Sequence, residues 1–427
     1  MNTTDNTIAS ASPASLAAYI GLDWGDQQHA FSLIAEGSHQ IEAGQVVQTA
    51  ETLHAWLEQL QDRFQGRPVV LGVEAGRRPL LYVLAQYSWL EIYPINPLTS
   101  SRFRKAFKVS GAKDDQPDSA VVLELVRFHR DKLTRWEPPE EQIHLLDALV
   151  QVRRDWVDRR AQCLNQLTAL LKGYFPQALE LIGGRLDSAM ALAFLSRWPD
   201  LIALKAARPS TVRRFYYRHN VRRPELVEQR LELIKNAVAL TTNQVLLQTS
   251  CLQLKLLVEL IETFNAHLEE CEKPIAATFK DHEDAALFGE LPGAGPALAP
   301  RLLAAFGADR SRYESAANLQ KYVGVAPVRE KSGKQVFTHW RWQAPVFLRQ
   351  TFIEWAGQTV VWCAWAAHYY ERMKARGKKH HVILRALAFK WIRILWKCWQ
   401  TRTVYNEQIY LNALKQRKSP NLPPAFQ

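Results

Sequence analysis

Between residues 18 and 107 the spacing of apolar positions switches back and forth between strand and helix periods. "AYIGLDWG" ends in a turn, and "QHAFSLIAEG" and "HQIEAGQVVQ" follow at hairpin distance, which predicts three successive strands. "TAETLHAWLEQLQDRF" opens with a threonine cap and sets Leu53, Trp56, Leu57 and Leu60 at helical spacing. "RPVVLGVEAG" is nearly all apolar, as expected of a strand covered on both faces. A helix at "PLLYVLAQY", a strand at "EIYPIN" and a basic helix complete this part.

From about 140 to 285 the strand signal almost disappears. Apolar residues recur at Leu149, Val152, Trp156, Cys163, Leu167 and Leu170, and again at Leu254, Val258, Ile261, Phe264 and Leu268. Both series predict long helices able to pair as an antiparallel coiled coil. Between them "PSTVRRFYYRHNVRRPE" sets five arginines around Phe215, Tyr216 and Tyr217, either a nucleic-acid contact or a basic helical turn. Near Phe288 a third part begins. Its "LPGAGPALAPRLLAAFG" places two glycines before a helix, where backbone amides can face a phosphate. A plain corner between helices explains that motif equally well.

The pattern gives an α/β N-terminal domain, a helical coiled-coil region and a mainly α-helical C-terminal domain. The expected boundaries are a flexible tail at 1–17, then 18–138, 139–285 and 286–408, with a basic tail at 409–427. A chain of 427 residues has room for two or three such domains. No run of uninterrupted apolar residues approaches the roughly 18 that a membrane span needs, and the N-terminus lacks a signal-peptide order. Five scattered cysteines without CxxC pairs fit reduced thiols in a cytoplasm, with no disulfide framework or zinc site.

Charge changes the picture more than composition does. The chain carries a net +12, but from Lys331 onward 17 Lys and Arg face only Glu354, Glu371 and Glu407. That segment alone is +14, and everything before it is near −2. It also holds Trp340, Trp342, Trp355 and Trp362, a mix of cations and aromatics suited to a polyanion that carries bases. Most tryptophans of the whole segment are expected in a core. Candidate phosphate contacts are Lys331, Lys334, Arg341 and Arg349 in this segment, Arg329 just before it, and Arg213, Arg214 and Arg218 in the middle region.

The acidic residues bring chemistry. In "GAKDDQPDSA", Asp115 and Asp118 are three residues apart at the start of an apolar run, so a helix would set them on one face. Like charges that close need a cation between them, and a divalent metal takes hard oxygen ligands. Arg102, Arg104, Lys105, Lys108 and Lys113 lead up to them as a candidate approach for phosphates. Asp23 in "GLDWG" and Glu74 in "GVEAG" each end a predicted strand. Three strands, then helix, strand, helix, strand and helix, is the order of a ribonuclease-H-like domain, whose first and fourth strands are neighbours. Asp23 and Glu74 would then meet at the strand ends, and four converging carboxylates can hold two Mg²⁺ (or Mn²⁺) ions roughly 3.5–4 Å apart. The structural alternative makes Asp23 a turn residue and the later aspartates a helix cap.

The order D…E…K-x-D-x-x-D followed by a glycine hairpin resembles the DEDD transposases of RNA-guided (bridge-RNA) insertion sequences. "YIGLDWG", "GVEAG", "INPLTSSRF", "KDDQPDSA", "LPGAGP", "YVGVAPVREKSGK" and "FLRQTFIEWA" carry the resemblance across most of the chain. It implies a RuvC-like N-terminal domain whose metal ligands are Asp23, Glu74, Asp115 and Asp118. It also implies a C-terminal domain with a serine nucleophile in an S-G pair, which here is Ser332. The implied activity is metal-assisted serine attack on phosphodiesters of donor and target DNA, guided by a structured non-coding RNA. A homodimer or homotetramer is implied too, in a prokaryotic cytoplasm near the nucleoid and away from membranes. Asp114, Ala75 and "WQAPVFLR" depart from the family pattern. Two rivals remain: a metal-dependent junction nuclease without a covalent intermediate, and an inactive nucleic-acid-binding descendant of a transposase.

Overall fold

A computed structural model describes residues 15–74, 78–107, 118–333 and 335–426. Asp115, Lys108, Lys113 and Lys334, and most of the expected N-terminal tail, lie outside the described residues. The chain divides into two compact units, Met1–Pro139 and Glu140–Gln427.

The first unit is a five-stranded sheet with helices on both faces. Its strands are β1 (Ala18–Asp23), β2 (Gln28–Ala35), β3 (Glu42–Val47), β4 (Val69–Glu74) and β5 (Leu90–Ile95). Their order is β3-β2-β1-β4-β5. The first three pair antiparallel through short connections, whereas β1, β4 and β5 run parallel. Parallel neighbours need crossovers, and α1 (Ala50–Arg63) and α2 (Arg78–Leu84) supply them. This is the ribonuclease-H-like arrangement expected from the element order.

Alternation along the strands decides what covers each face. Leu22, Leu71 and Val73 join Leu53, Trp56, Leu57 and Leu60 of α1 in one core. Val70, Tyr93 and Ile95 pack on the other side with Val121, Val122 and Val126 of α4 (Asp118–Phe128). The second face is unusually close to its helix. A Cβ on Gly21 would lie 2.1 Å from the Ser119 carbonyl oxygen, and one on Gly72 would lie 2.5 Å from a Val126 methyl. Only glycine lets α4 sit this deep. The buried hydroxyls of Ser32 and Ser119 join across the same contact at 2.9 Å. The basic α3 (Pro97–Phe107) precedes α4.

In the second unit, α5 (Glu141–Tyr174) lies antiparallel to α11 (Gln244–Lys280). The Gln142 amide donates to the Thr278 carbonyl, Arg153 meets Glu272, and Arg160 meets Asn265. Between them α6 (Gln177–Ile182), α7 (Ala189–Arg197), α8 (Leu201–Ala206), α9 (Pro209–Arg218) and α10 (Pro224–Asn236) close a core around Phe194, Phe215 and Tyr216. Among the described residues α11 alone is long and apolar enough to cross a membrane. Its Leu254, Val258 and Ile261 instead belong to that core.

The remaining elements are α12 (Ala285–Gly289), α13 (Gly295–Phe306), α14 (Ala316–Val323), a hairpin of β6 (Val328–Ser332) and β7 (Gln335–His339), α15 (Val346–Trp362), α16 (Ala364–Ala375), α17 (His380–Thr401) and α18 (Glu407–Gln416). They share one core with the start of α5 and the end of α11. Trp355, Trp365, Trp391 and Trp399 are fully buried in it. Each removes roughly 150–250 Å² from water, worth on the order of 4–6 kcal/mol as an upper figure. Residues 409–427, expected as a basic tail, are ordered in part: α18 buries Leu411 and Leu414, and Leu422 follows them into the core. The charged side chains there are all cations (Lys415, Arg417 and Lys418), but leucines at helical spacing dock the segment.

Candidate active site and nucleic-acid interface

Asp23 and Glu74 end adjacent parallel strands. Leu22 is level with Val73, so the two carboxylates leave neighbouring strands at the same height, with backbones about 4.8 Å apart. They share parity with Gly21 and Gly72, which puts both acids on the face that α4 covers. Asp118 is the first residue of α4, next to Ser119, whose backbone touches Gly21. The two glycines are therefore what brings the helix carrying the third acid down onto the strands carrying the first two.

The electrostatics fit a cation. Burial pushes the Asp23 carboxyl above its ordinary value, partly offset by Arg104 and His29. Arg104, from α3, forms an ion pair with Asp118. One guanidinium thus serves both aspartates. Behind them His29 is wholly buried, its ring stacked 4.0 Å from Trp24, and its Nδ1 accepts the Gly25 N–H at 3.3 Å. Burial lowers the His29 pKa, which favours the neutral ring. His29 was missed in the sequence because a lone histidine in a strand carries no signal until its neighbours are known. Among the described residues, no three of His, Cys, Asp and Glu gather closely enough to hold a metal ion. The fourth acid, Asp115, is outside that set.

Ser332 belongs to the second unit, as the last residue of β6, exposed and paired with Gln335. Gly333 follows with φ +57, a left-handed conformation that glycine adopts freely in a tight hairpin loop. Alternation places Glu330, Phe337 and His339 on the face of Ser332, and Arg329 and Lys331 on the other. Arg329 and Lys331 therefore lie across the ribbon from Ser332.

The other candidate contacts divide. Arg102 and Lys105 are exposed on α3, whereas Arg104 is committed to Asp118. On α9, Val212, Phe215 and Tyr216 are buried and Arg213 grips Glu228 through two bonds of 2.9 and 3.0 Å. Arg214 and Arg218 are exposed and line a groove of about 490 Å³ with Ser210 and Tyr217. The glycine corner serves packing at one of its two glycines: a Cβ on Gly293 would stand 2.9 Å from that of Gln358. The Trp355 indole donates to the neighbouring Pro292 carbonyl at 3.1 Å. Arg341 and Arg349 lie at the root of the hairpin, where Arg349 donates to the Arg341 carbonyl at 3.0 Å.

Comparison with known proteins converges on one family. A model of the DEDD-type IS110 transposase domain matches residues 20–176. A second, described as "Transposase IS116/IS110/IS902 family", matches residues 285–371. Among curated proteins, the chain is 25% identical over 405 residues to the candidate mini-circle transposase for IS117 of Streptomyces coelicolor, covering 92% of this chain and 96% of that one. It is 26% identical over 383 residues to an uncharacterised 44.8 kDa protein of insertion element IS116 from Streptomyces clavuligerus, covering 88% and 93%. An uncharacterised 43.6 kDa protein of IS110 from Streptomyces coelicolor is 23% identical over 401 residues, covering 92% and 96%. The chain carries both domains of the IS110/IS116 transposase family and is an enzyme of that kind, a transposase.

Proposed function

We propose that this transposase cuts and rejoins donor and target DNA through two sets of groups: an acidic metal site in the first unit and Ser332 in the second. The observation that carries the first is the placement of Asp23 and Glu74 at the ends of adjacent strands, on the face covered by the helix that Asp118 begins, with Arg104 paired to Asp118 and acting on Asp23. All the donors are oxygens, and burial disfavours the Asp23 charge unless a cation is near, which fits a hard divalent ion. Asp23, Glu74, Asp115 and Asp118 would hold Mg²⁺ or Mn²⁺, which supplies charge neutralisation at the attacked phosphate. Arg104 would release Asp118 when the ion binds and turn to a phosphate. Ser332 is the nucleophile in this reading: its hydroxyl is exposed at a hairpin tip, where a DNA strand can reach it.

A structured non-coding RNA would select the sites by base pairing while the protein contacts backbone and shape. Arg214 and Arg218 on α9 and the cations of residues 331–427 are the candidate surfaces for nucleic acid. Self-association into a dimer or tetramer is supported by Val245, Leu252, Leu256 and Leu260, exposed apolar residues of α11. The test is reconstitution: purified protein, Mg²⁺, element-end and target DNA, with and without RNA transcribed from the flanking element. Joined products that need both RNA and metal support the proposal. Products independent of the RNA would remove the guidance, and simple cleavage without joining would favour a nuclease.

A further inference from the structure

The root of the hairpin gathers charge that the acidic site and Ser332 leave unexplained. Trp340, just after β7, has the Arg385 guanidinium carbon 3.5 Å from its ring centre and that of Arg349 4.9 Å away. Arg349 comes from α15 and Arg385 from α17, so two core helices converge on this indole. Arg341 joins them through its carbonyl bond to Arg349. The Nε atoms of Arg341 and Arg385 are buried without a hydrogen-bond partner, and among the described residues no carboxylate pairs with any of the three arginines. Burial and the nearby Arg349 both push the Arg385 pKa down.

Half-buried guanidiniums that repel one another destabilise a fold unless an anion joins them. The planar fork of arginine matches phosphate oxygens, and stacking on an indole holds that fork in place. Beside the cluster Trp342 is 79% exposed, its ring 6.4 Å from Trp340. Unlike Trp355 or Trp391, it stabilises no core. An exposed indole next to a phosphate-sized cluster of cations is the pairing that holds unpaired strands, because every base has a face to stack on.

We infer that the hairpin root binds an unpaired DNA strand, with Arg349 and Arg385 on Trp340 taking a backbone phosphate and Trp342 stacking on a base. The identity of the strand rests on the proposed recombination, in which Ser332 acts on DNA. Four residue steps along β6 separate Ser332 at the tip from Val328, the partner of His339 at the root. At strand rise that is roughly 14 Å, or about four base-pair rises. A base on Trp342 therefore lies a few nucleotides from the phosphate at Ser332, where it would hold a separated strand in register. Arg385, Trp340 and Trp342 are positioning residues in this account.

The test needs no chemistry. In full-length Ser332→Ala protein, affinity is measured for one DNA sequence as a single strand and as a duplex, and for the matching RNA strand. Trp342→Ala should weaken single-strand DNA binding by roughly 5- to 150-fold, the range of one stacked base, and leave duplex binding unchanged. Trp342→Phe should restore most of the loss. Arg385→Gln should reduce the salt dependence of single-strand binding by about 0.7 in log–log slope, one phosphate contact. No loss with Trp342→Ala, equal losses on single strand and duplex, or a loss confined to RNA would overturn the inference. An unchanged slope in Arg385→Gln would remove the phosphate contact. If Ser332 forms no adduct but the Trp342 effect holds, the recombination chemistry fails and this site stands; the converse sinks this site alone.

Discussion

Gly21→Ala tests the placement of the acids without touching one. The added Cβ would stand 2.1 Å from the Ser119 carbonyl oxygen and 2.4 Å from the Leu123 amide nitrogen. Both obstacles are helix backbone, so no rotamer change relieves them. To reach an ordinary contact of 3.4 Å, α4 must retreat by about 1.3 Å. Overpacking of this kind costs about 1–3 kcal/mol. Stretching the buried bond between Ser32 and Ser119, 2.9 Å long, adds on the order of 1 kcal/mol. The first unit should then melt roughly 10 °C lower. Asp118 moves with the helix, and reacting groups must be held within about 0.5 Å, so strand cleavage should fall on the order of 100-fold. Circular dichroism and cleavage are measured on the same preparation, below both melting points. Gly173→Ala is the control: it lies in α5 with open space around its Cβ and should be neutral or stabilising by up to about 1 kcal/mol. A Gly21→Ala protein with unchanged melting and cleavage would refute the docking of α4 as the device that positions Asp118.

Asp115→Asn and Asp118→Asn should each abolish strand cleavage while nucleic-acid binding persists, because each removes a ligand charge and little volume; normal cleavage rates would remove that residue from the site. Asp23 has a folded pKa above its ordinary 3.8, so the folded state holds that proton more tightly than the unfolded one. Its contribution to stability is therefore present below 3.8 and is lost as pH rises through the raised value. Asp23→Asn should raise the melting temperature of metal-free protein at neutral pH, and Mg²⁺ should stabilise the parent but not this variant; a less stable Asn variant would contradict the assignment. Changing the exposed Lys374, Lys378 and Lys379 to Gln should lower duplex affinity and flatten its salt dependence by up to about 0.9 per lost phosphate contact, and an unchanged slope would move the duplex surface elsewhere.

The first unit was legible because its signals are local. Strand alternation in "QHAFSLIAEG", the threonine cap at Thr49 and the unbroken apolar run before Glu74 each depend on a few neighbouring residues. Asp23 and Glu74 stood out as acids at the ends of apolar strands, and their common face follows from register. What the sequence hid are contacts between distant segments. Gly21 and Gly72 are only small residues inside predicted strands until Ser119 and Val126 are seen against them. The ion pair of Arg104 with Asp118 needs two helices placed. Gly293, in a motif that resembles a phosphate loop, packs on Gln358, sixty-five positions away. The arginines on Trp340 come from two further helices, and nothing in "THWRWQAP" announces them.

Ser332, as the proposed nucleophile, should attack DNA and remain joined to it. Reactions stalled with a nicked or otherwise trapped substrate, then digested and mapped by mass spectrometry, report it directly. The account predicts a DNA end joined through a phosphodiester to the Ser332 hydroxyl, and its loss in Ser332→Ala with metal and nucleic-acid binding intact. DNA attached to Ser311, Ser315 or any other residue would contradict it, as would strand cutting at the normal rate in Ser332→Ala with no adduct at all.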